Sequence, residues 1–364
     1  MPERLGHENP GGRSMAVFSR TGRWALRVLP IAVAALTLTA CSSSSSPSPQ
    51  AKGSSASGSS TDGYAKKLSV LFISGAAPGD VFWGSVQKGA EQAAADEDAS
   101  LEYLSISSQS DAETEEAQQF QAAIVKHPDA IVVANEYPSA LDPLIKQAEA
   151  AGITVVVANA GQASWKSDGA IAYVGQSDYQ AGVEAGQQMA AAGIKVAICE
   201  NVPGYAVSMD RCGGFAKGFD GVGGKAINVD FELAQIGSPT YLERALEAIL
   251  TANKNAQAIM ATGVIGWTPA IAALKQLGDT GTVKLATFDL STGDLQATAD
   301  GTNLFLVDQQ PYLEGYDSVQ TALQYLRYGL VPVDGTIATG PDIITEANAA
   351  AVLKYNSLGV RGAS

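Results

Sequence analysis

From Lys66 onward the chain alternates short Val/Ile-rich runs with longer amphipathic stretches, and that alternation leaves few folds open. Candidate strands are 68–73, 101–106, 130–134, 154–158, 171–174, 195–199, 258–262, 284–288 and 304–307. Candidate helices are 82–96, 111–126, 140–151, 178–192, 207–220, 239–253, 268–277 and 312–328. Runs that are apolar throughout read as strands buried on both faces. Strand–helix alternation implies right-handed βαβ units around a parallel sheet. Two similar series of such units, with no repeat of solenoid length, predict an α/β fold with two lobes. The length agrees, since 364 residues at about 100–200 per domain leave room for two cores.

Composition removes several chemistries. The two histidines, His7 and His127, exclude the helix-borne His pair of zinc proteases, and a Ser-His-Asp site would depend on His127 alone. Three cysteines cannot build an all-cysteine zinc site or a disulfide-dense scaffold. A net charge of −14 without a basic patch argues against nucleic-acid binding, which needs Lys and Arg to replace phosphate counterions. No metal and no cofactor are expected.

The N-terminal 40 residues differ from the rest. Arg13, Arg20, Arg23 and Arg27 precede an apolar run over 28–40, too short for an ordinary membrane span of about 20 residues. A basic flank, a short apolar core and small residues describe an export signal. Met15 would give that signal an ordinary length, so the start codon is either Met1 or Met15. The run ends Leu38-Thr39-Ala40-Cys41, which is similar to a bacterial lipobox and marks Cys41 for lipidation. Residues 42–63 are mostly Ser, Gly, Pro and Ala, a composition that forms no core and reads as a tether. The expected organisation is therefore a signal over 1–40, a lipidated Cys and tether over 41–65, and the folded lobes after that.

In open α/β sheets ligands sit beyond the carboxyl ends of the strands. Those positions hold Asp80, Phe82 and Trp83, then Ser108 to Asp111, then Asn135-Glu136-Tyr137, then Asn159. The second series gives Glu200-Asn201, Asp210-Arg211, 263–267, Asp289 and Asp308-Gln309-Gln310. Amides, carboxylates, one arginine and bare aromatics suit a neutral polyhydroxylated ligand.

Several fragments then carry a family resemblance. They are Gly89-Ala90, Ser108-Gln109-Ser110-Asp111, Ala151-Gly152-Ile153-Thr154-Val155-Val156, and Tyr173-Val174-Gly175-Gln176-Ser177-Asp178 with Ala181-Gly182. Further on stand Asp210-Arg211 with Gly214-Phe215 and Gly218-Phe219, then Thr287-Phe288-Asp289, and Asp308-Gln309-Gln310-Pro311. In order and spacing, residues 66–355 resemble the sugar-binding receptors of bacterial ABC importers, the ribose-binding-protein class of type I periplasmic binding proteins. The resemblance implies two doubly wound parallel-sheet lobes joined by a three-segment hinge. It places lobe 1 at 66–174 plus 310–340 and lobe 2 at 176–308 plus 342–364, with crossings near 174–176, 307–309 and 340–342. The implied ligand contacts are Phe82, Trp83, Asn159, Arg211, Asp289 and Gln309, and Trp267 is added as a filler of the space near residue 264. Two positions depart from the family pattern: Asn159-Ala160 where many relatives have Asp-Arg, and Gly263-Val264 where many have Asn-Asp.

Other readings of these residues stay open. Asp289 reads also as a helix N-cap or turn residue, Arg211 as one half of a surface ion pair, and Trp83 and Trp267 as core rings. Trp165 is either a cleft lid or an exposed ring. Asp111 reads as a helix cap, Glu136 as a solvated loop carboxylate, and His127 as a partner of a helix C-terminus. With Cys41 lipidated, Cys199 and Cys212 remain, and export places them where disulfides persist. A bridge between them is expected, with two free buried thiols as the alternative.

The expected function is a lipid-anchored extracytoplasmic receptor that captures a monosaccharide or polyol and delivers it to an ABC permease and its ATPase. It would act as a monomer, touch the membrane only through its lipid, and bind no nucleic acid. The alternative is a sensor of the same fold presenting its closed form to a membrane receptor. A glycosidase would need two cleft carboxylates about 5–9.5 Å apart, and no motif fixes such a pair.

Overall fold

The computed structural model of the protein describes residues 66–362, apart from 76 and 78. The export signal, Cys41 and the tether lie outside the described residues. The first half of the chain runs β1 (Ser69–Ile73), α1 (Val81–Asp96), β2 (Ser100–Leu104), α2 (Ala112–Lys126), β3 (Ala130–Val133) and α3 (Pro138–Ala150). Then follow β4 (Thr154–Ala158), β5 (Ala172–Val174), α4 (Asp178–Ala191), β6 (Val196–Asn201), α5 (Ala206–Asp220) and β7 (Lys225–Asp230). The second half continues α6 (Pro239–Ala252), β8 (Ala258–Ala261), α7 (Val264–Leu277), β9 (Lys284–Phe288), α8 (Thr292–Ala299) and β10 (Asn303–Asp308). It ends α9 (Pro311–Tyr328), β11 (Thr336–Ile337), β12 (Asp342–Ile344) and α10 (Glu346–Asn356).

These strands form two six-stranded sheets, ordered β11-β5-β4-β3-β1-β2 and β12-β10-β9-β8-β6-β7. Every pairing is parallel except β10 with β12. Both sheets repeat one doubly wound order, second strand outside the first and the third on its other side. The chain passes between the sheets after β5, after β10 and after β11.

Helices cover both faces of each sheet, which is why the central strands are apolar throughout. In the first sheet Phe72, Val132 and Val156 meet Val86 and Ala90 of α1 and Val319 and Leu323 of α9. On the other face Leu71, Ile131 and Val155 meet Phe120, Leu141 and Ile145. The second sheet repeats this, with Met260 and Phe288 against Phe215 and Phe219, and Ile198 and Ile259 against Leu246 and Leu274. One helix pair in each lobe packs backbone to backbone. A Cβ on Gly315 of α9 would lie 1.9 Å from the Val86 carbonyl oxygen of α1, and one on Gly214 of α5 would lie 1.9 Å from that of Tyr179 in α4.

Cys199 within β6 and Cys212 in α5 form a disulfide, with Cα atoms 5.7 Å apart. A bridge closing a loop this short stabilises by about 3 kcal/mol in the chain-entropy view, and it ties α5 to its own strand. Among the described residues no helix is long and apolar enough to cross a membrane.

Three strands and two helices escape the periodicity reading. The edge strand β7 buries none of its residues fully and exposes Lys225, Asn228 and Asp230, whereas β11 and β12 are two and three residues long. The helix α8 has eight residues, and α10 follows β12 as a short cover for the second sheet. The helix α7 begins at Val264, four residues before the expected start, because Pro269 sits inside it rather than in its first turn.

Candidate functional site

The loops and helix starts beyond the strand ends of both sheets line one cavity of about 100 Å³. The first lobe supplies an aromatic wall. Asp80 caps α1, accepting from the Trp83 backbone N–H at 3.1 Å, and this cap sets Phe82 and Trp83 at the helix start. Their rings meet edge to face at 5.1 Å. Both rings are buried, both belong to the lobe core, and both line the cavity.

Asn159 and Asp289 occupy equivalent places, each just after the fourth strand of its sheet. Both are left-handed, with φ of 60° and 69°. Each donates its backbone N–H to the neighbouring strand, at Val174 and Val307 respectively, both at 2.9 Å. Among residues other than glycine, Asn and Asp tolerate that backbone region best. A hydrogen-bonded chain links the two positions. Asn159 donates to Glu314 at 3.0 Å and to the Gln309 side-chain oxygen at 3.2 Å, and the Gln309 amide in turn donates to Asp289 Oδ1.

Arg211 is the cation among these groups. Its Nε donates to the buried Asp178 at 2.8 Å and its Nη1 to the Thr262 carbonyl at 2.6 Å. Nη1 also lies 3.9 Å from Asp289 Oδ2, and the guanidinium sits 4.4 Å from the Phe288 ring centre. Arg211 therefore pairs with an internal carboxylate, not a surface one. Burial alone would lower its pKa, but Asp178 and Asp289 hold it raised, so it stays charged.

Acidic groups outnumber this cation around the cavity. Burial pushes Asp80 up to about 6, against the cap bond from Trp83. It pushes Glu136 to about 7, opposed by the Tyr205 hydrogen bond, and Glu200 to about 8. Burial raises Asp289 as well, with Arg211 and Gln309 pulling the other way. Acceptors and proton-bearing carboxyls thus surround a space faced by one guanidinium, a setting suited to hydroxyl groups.

Glu136 corrects the sequence reading. It is not solvated but 2% exposed. Its Oε1 accepts from Tyr205 of the other lobe at 3.0 Å, and its backbone carbonyl accepts from the Ala206 N–H at 3.3 Å. Tyr137 meets the same Tyr205 ring at 5.9 Å. The two lobes are therefore latched over the cavity. Nothing in the local sequence signals this, because the partner lies 69 residues away.

Of the residues singled out from sequence, the structure brings Phe82, Trp83, Asn159, Arg211, Asp289 and Gln309 to this cavity, together with Glu136, Glu200 and Tyr205. It does not bring Trp267. That indole packs against the second lobe's core and donates to Asn303 at 3.3 Å. The early start of α7 places it a turn inside the helix. Trp165 is neither lid nor exposed ring but part of the first lobe's core. Asp111 takes the N-cap position of α2 without a side-chain cap bond. His127 caps α2 in left-handed backbone, and its ring meets the Ala151 carbonyl at the end of α3 at 3.1 Å. Asp289 is not an N-cap, since Ser291 caps α8 through a capping box with Asp294.

The family model described as "Periplasmic binding protein domain" matches residues 70–330. The chain belongs to this family and has its type I architecture of two parallel-sheet lobes. The family consists of solute-binding proteins and not enzymes. The chain is 34% identical to a carbohydrate transporter protein from Acidothermus cellulolyticus 11B solved with myo-inositol, covering 81% of this chain and 100% of that one with a TM-score of 0.74. It shares the fold of GanP, a glucose-galactose binding protein of Geobacillus stearothermophilus, at 21% identity and a TM-score of 0.69 over 78% and 99% of the two chains. It is 26% identical over 245 residues to the xylose/arabinose-binding protein XylF of Sulfolobus acidocaldarius, a match that spans 63% of this chain and 59% of that relative.

Proposed function

We propose that this protein is the extracytoplasmic receptor of an ABC importer for a monosaccharide or polyol. The observation that carries the reading is the latched interlobe cavity. Aromatic rings from one lobe face a hydrogen-bonded set of Arg211, Asp289 and Gln309 from the other strand ends. Rings cover the C–H face of such a ligand, and the polar set meets its hydroxyls. The relative solved with myo-inositol, at 34% identity, supports the same ligand class.

The lobes are 66–174 plus 310–340 and 176–308 plus 342–364, and the three passages between them serve as the hinge. Contacts from both lobes become simultaneous only when the cleft is shut, so the ligand favours the closed state by its differential affinity. The closed form is delivered to a permease driven by its ATPase, and the protein acts as a monomer. A calorimetric panel of myo-inositol, D-glucose, D-xylose and D-arabinose, with small-angle scattering on any binder, tests this. Binding with a smaller radius of gyration is expected. No binding across the panel, or an unchanged radius at saturation, refutes the reading.

Cys41 anchors the protein to the outer face of the cell membrane. The support is its place after Leu38-Thr39-Ala40 and the tether that follows. In a lipoprotein-competent bacterium, labelled fatty acid should mark the wild type and not Cys41→Ala. Equal labelling of the two removes the anchor.

A further inference from the structure

The lining of the cavity extends past the polar set that would hold one polyol ring. In the second sheet its lining runs from Gln309 beyond β10 to Phe231 beyond β7. The strands between lie in the order β10-β9-β8-β6-β7, so the lining crosses four spacings, about 19 Å. Its chemistry changes along that path. Gln309 and Asp289 stand beyond β10 and β9, and Arg211 of α5 reaches toward Asp289 from beyond β8, where it donates to the Thr262 carbonyl. Beyond β8, β6 and β7 the walls include Ile265, Val202, Phe231, Ile236 and Leu242, and the two hydroxyls among them, Thr262 and Tyr205, already donate to the Glu200 carbonyl and to Glu136. Val202, Phe231, Ile236 and Leu242 belong to the lobe's core on their inner side, while Ile265 is 50% exposed in the first turn of α7.

Glu200, the penultimate residue of β6, stands where the two halves meet. It is 5% exposed, and its Oε1 has no hydrogen-bond partner among the described residues. A Cβ on Gly266 would lie 1.9 Å from its Oε2, so the carboxyl occupies space that only glycine leaves free. A buried carboxyl without a protein partner costs free energy unless a ligand group meets it. Apolar walls next to it have no use for a hydroxyl and favour an alkyl group.

We propose that this apolar half is a second subsite, and that the natural ligand is a polyol carrying an alkyl substituent, with Glu200 bonding the hydroxyl beside that substituent. The inference rests on the polyol-receptor reading above. The hydroxyl next to the ether or glycosidic oxygen would donate to Glu200 Oε1, and the methyl or alkyl group would enter between Val202, Phe231 and Leu242.

The test is calorimetric titration of the full protein with matched pairs: myo-inositol against its mono-O-methyl ethers, and D-glucose against its methyl and n-butyl glycosides. At least one substituted member should bind tighter than its parent by about fourfold per buried carbon. Ile265→Asn, at a half-exposed position where the fold tolerates the change, should lower the ratio of substituted to parent affinity. If a parent binds and no substituted form binds tighter, the second subsite is refuted while the polyol receptor stands. If a preference is found but Ile265→Asn leaves the ratio untouched, the preference arises elsewhere and the subsite is likewise refuted. If neither parents nor derivatives bind, both readings fall.

Discussion

Gly214→Ala should destabilise the protein by about 3 kcal/mol or more, among the largest effects available to a single methyl group. The helices α4 and α5 interleave their glycines, Gly182 and Gly186 from one and Gly214 and Gly218 from the other. The Cβ of an alanine at 214 would lie 1.9 Å from the Tyr179 carbonyl oxygen, and one at 218 would lie 2.1 Å from that of Val183. These neighbours are backbone atoms, so no rotamer change relieves the clash and the helices must part. Because α5 carries both Arg211 and Cys212, the separation also strains the Asp178 ion pair and the disulfide. Gly213 provides the control. A Cβ there meets nothing closer than 3.8 Å, from the Tyr179 ring, and alanine is the better helix former by about 1 kcal/mol. Urea unfolding should therefore show Gly214→Ala strongly destabilised and Gly213→Ala neutral or stabilised. Equal effects would show that helix propensity, not close approach, explains these glycines.

The parts of this molecule that were legible in the sequence are those whose cause is local. Val132-Val133 and Val155-Val156-Val157 are apolar because helices cover both sheet faces, so the runs announce themselves. Strand ends then point to Phe82, Asn159, Asp289 and Gln309 without any knowledge of how the lobes meet. What was not legible depends on distance. Glu136 looks like any loop carboxylate until Tyr205 is brought across from the other lobe. The strands β11 and β12 are too short to show a period, and they exist only because β5 and β10 offer open edges to pair with. Trp267 failed for a different reason. The space that Gly263-Val264 leaves points to a ring there, but the helix starts earlier than Pro269 suggests, and four residues of helix turn the ring toward Asn303.

Asp289→Ala should weaken binding of whichever polyol the titrations identify by ten- to hundredfold, and Asp289→Asn by about tenfold, the range expected for losing hydrogen bonds to a charged group. The carboxyl lines the cavity and already accepts from Gln309; burial raises its pKa, and Arg211 at 3.9 Å and Gln309 pull it back toward the ionised form. The two Asp289 oxygens offer lone pairs to ligand hydroxyls, whereas Asn offers one acceptor and turns a donor toward groups that also donate. The two variants separate binding from folding. At φ of 69° an asparagine sits without strain, so the apo Asn variant should melt close to wild type. Alanine there meets left-handed backbone without a compensating bond and leaves Gln309 and Arg211 short of a partner, so the apo Ala variant should melt lower. Calorimetric titration beside apo melting decides the matter. Wild-type affinity in Asp289→Asn would mean that the charge does not recognise the ligand. An apo Asn variant that melts as low as the Ala variant would mean that the carboxylate is there to hold Arg211 and Gln309, and that recognition lies with those two residues instead.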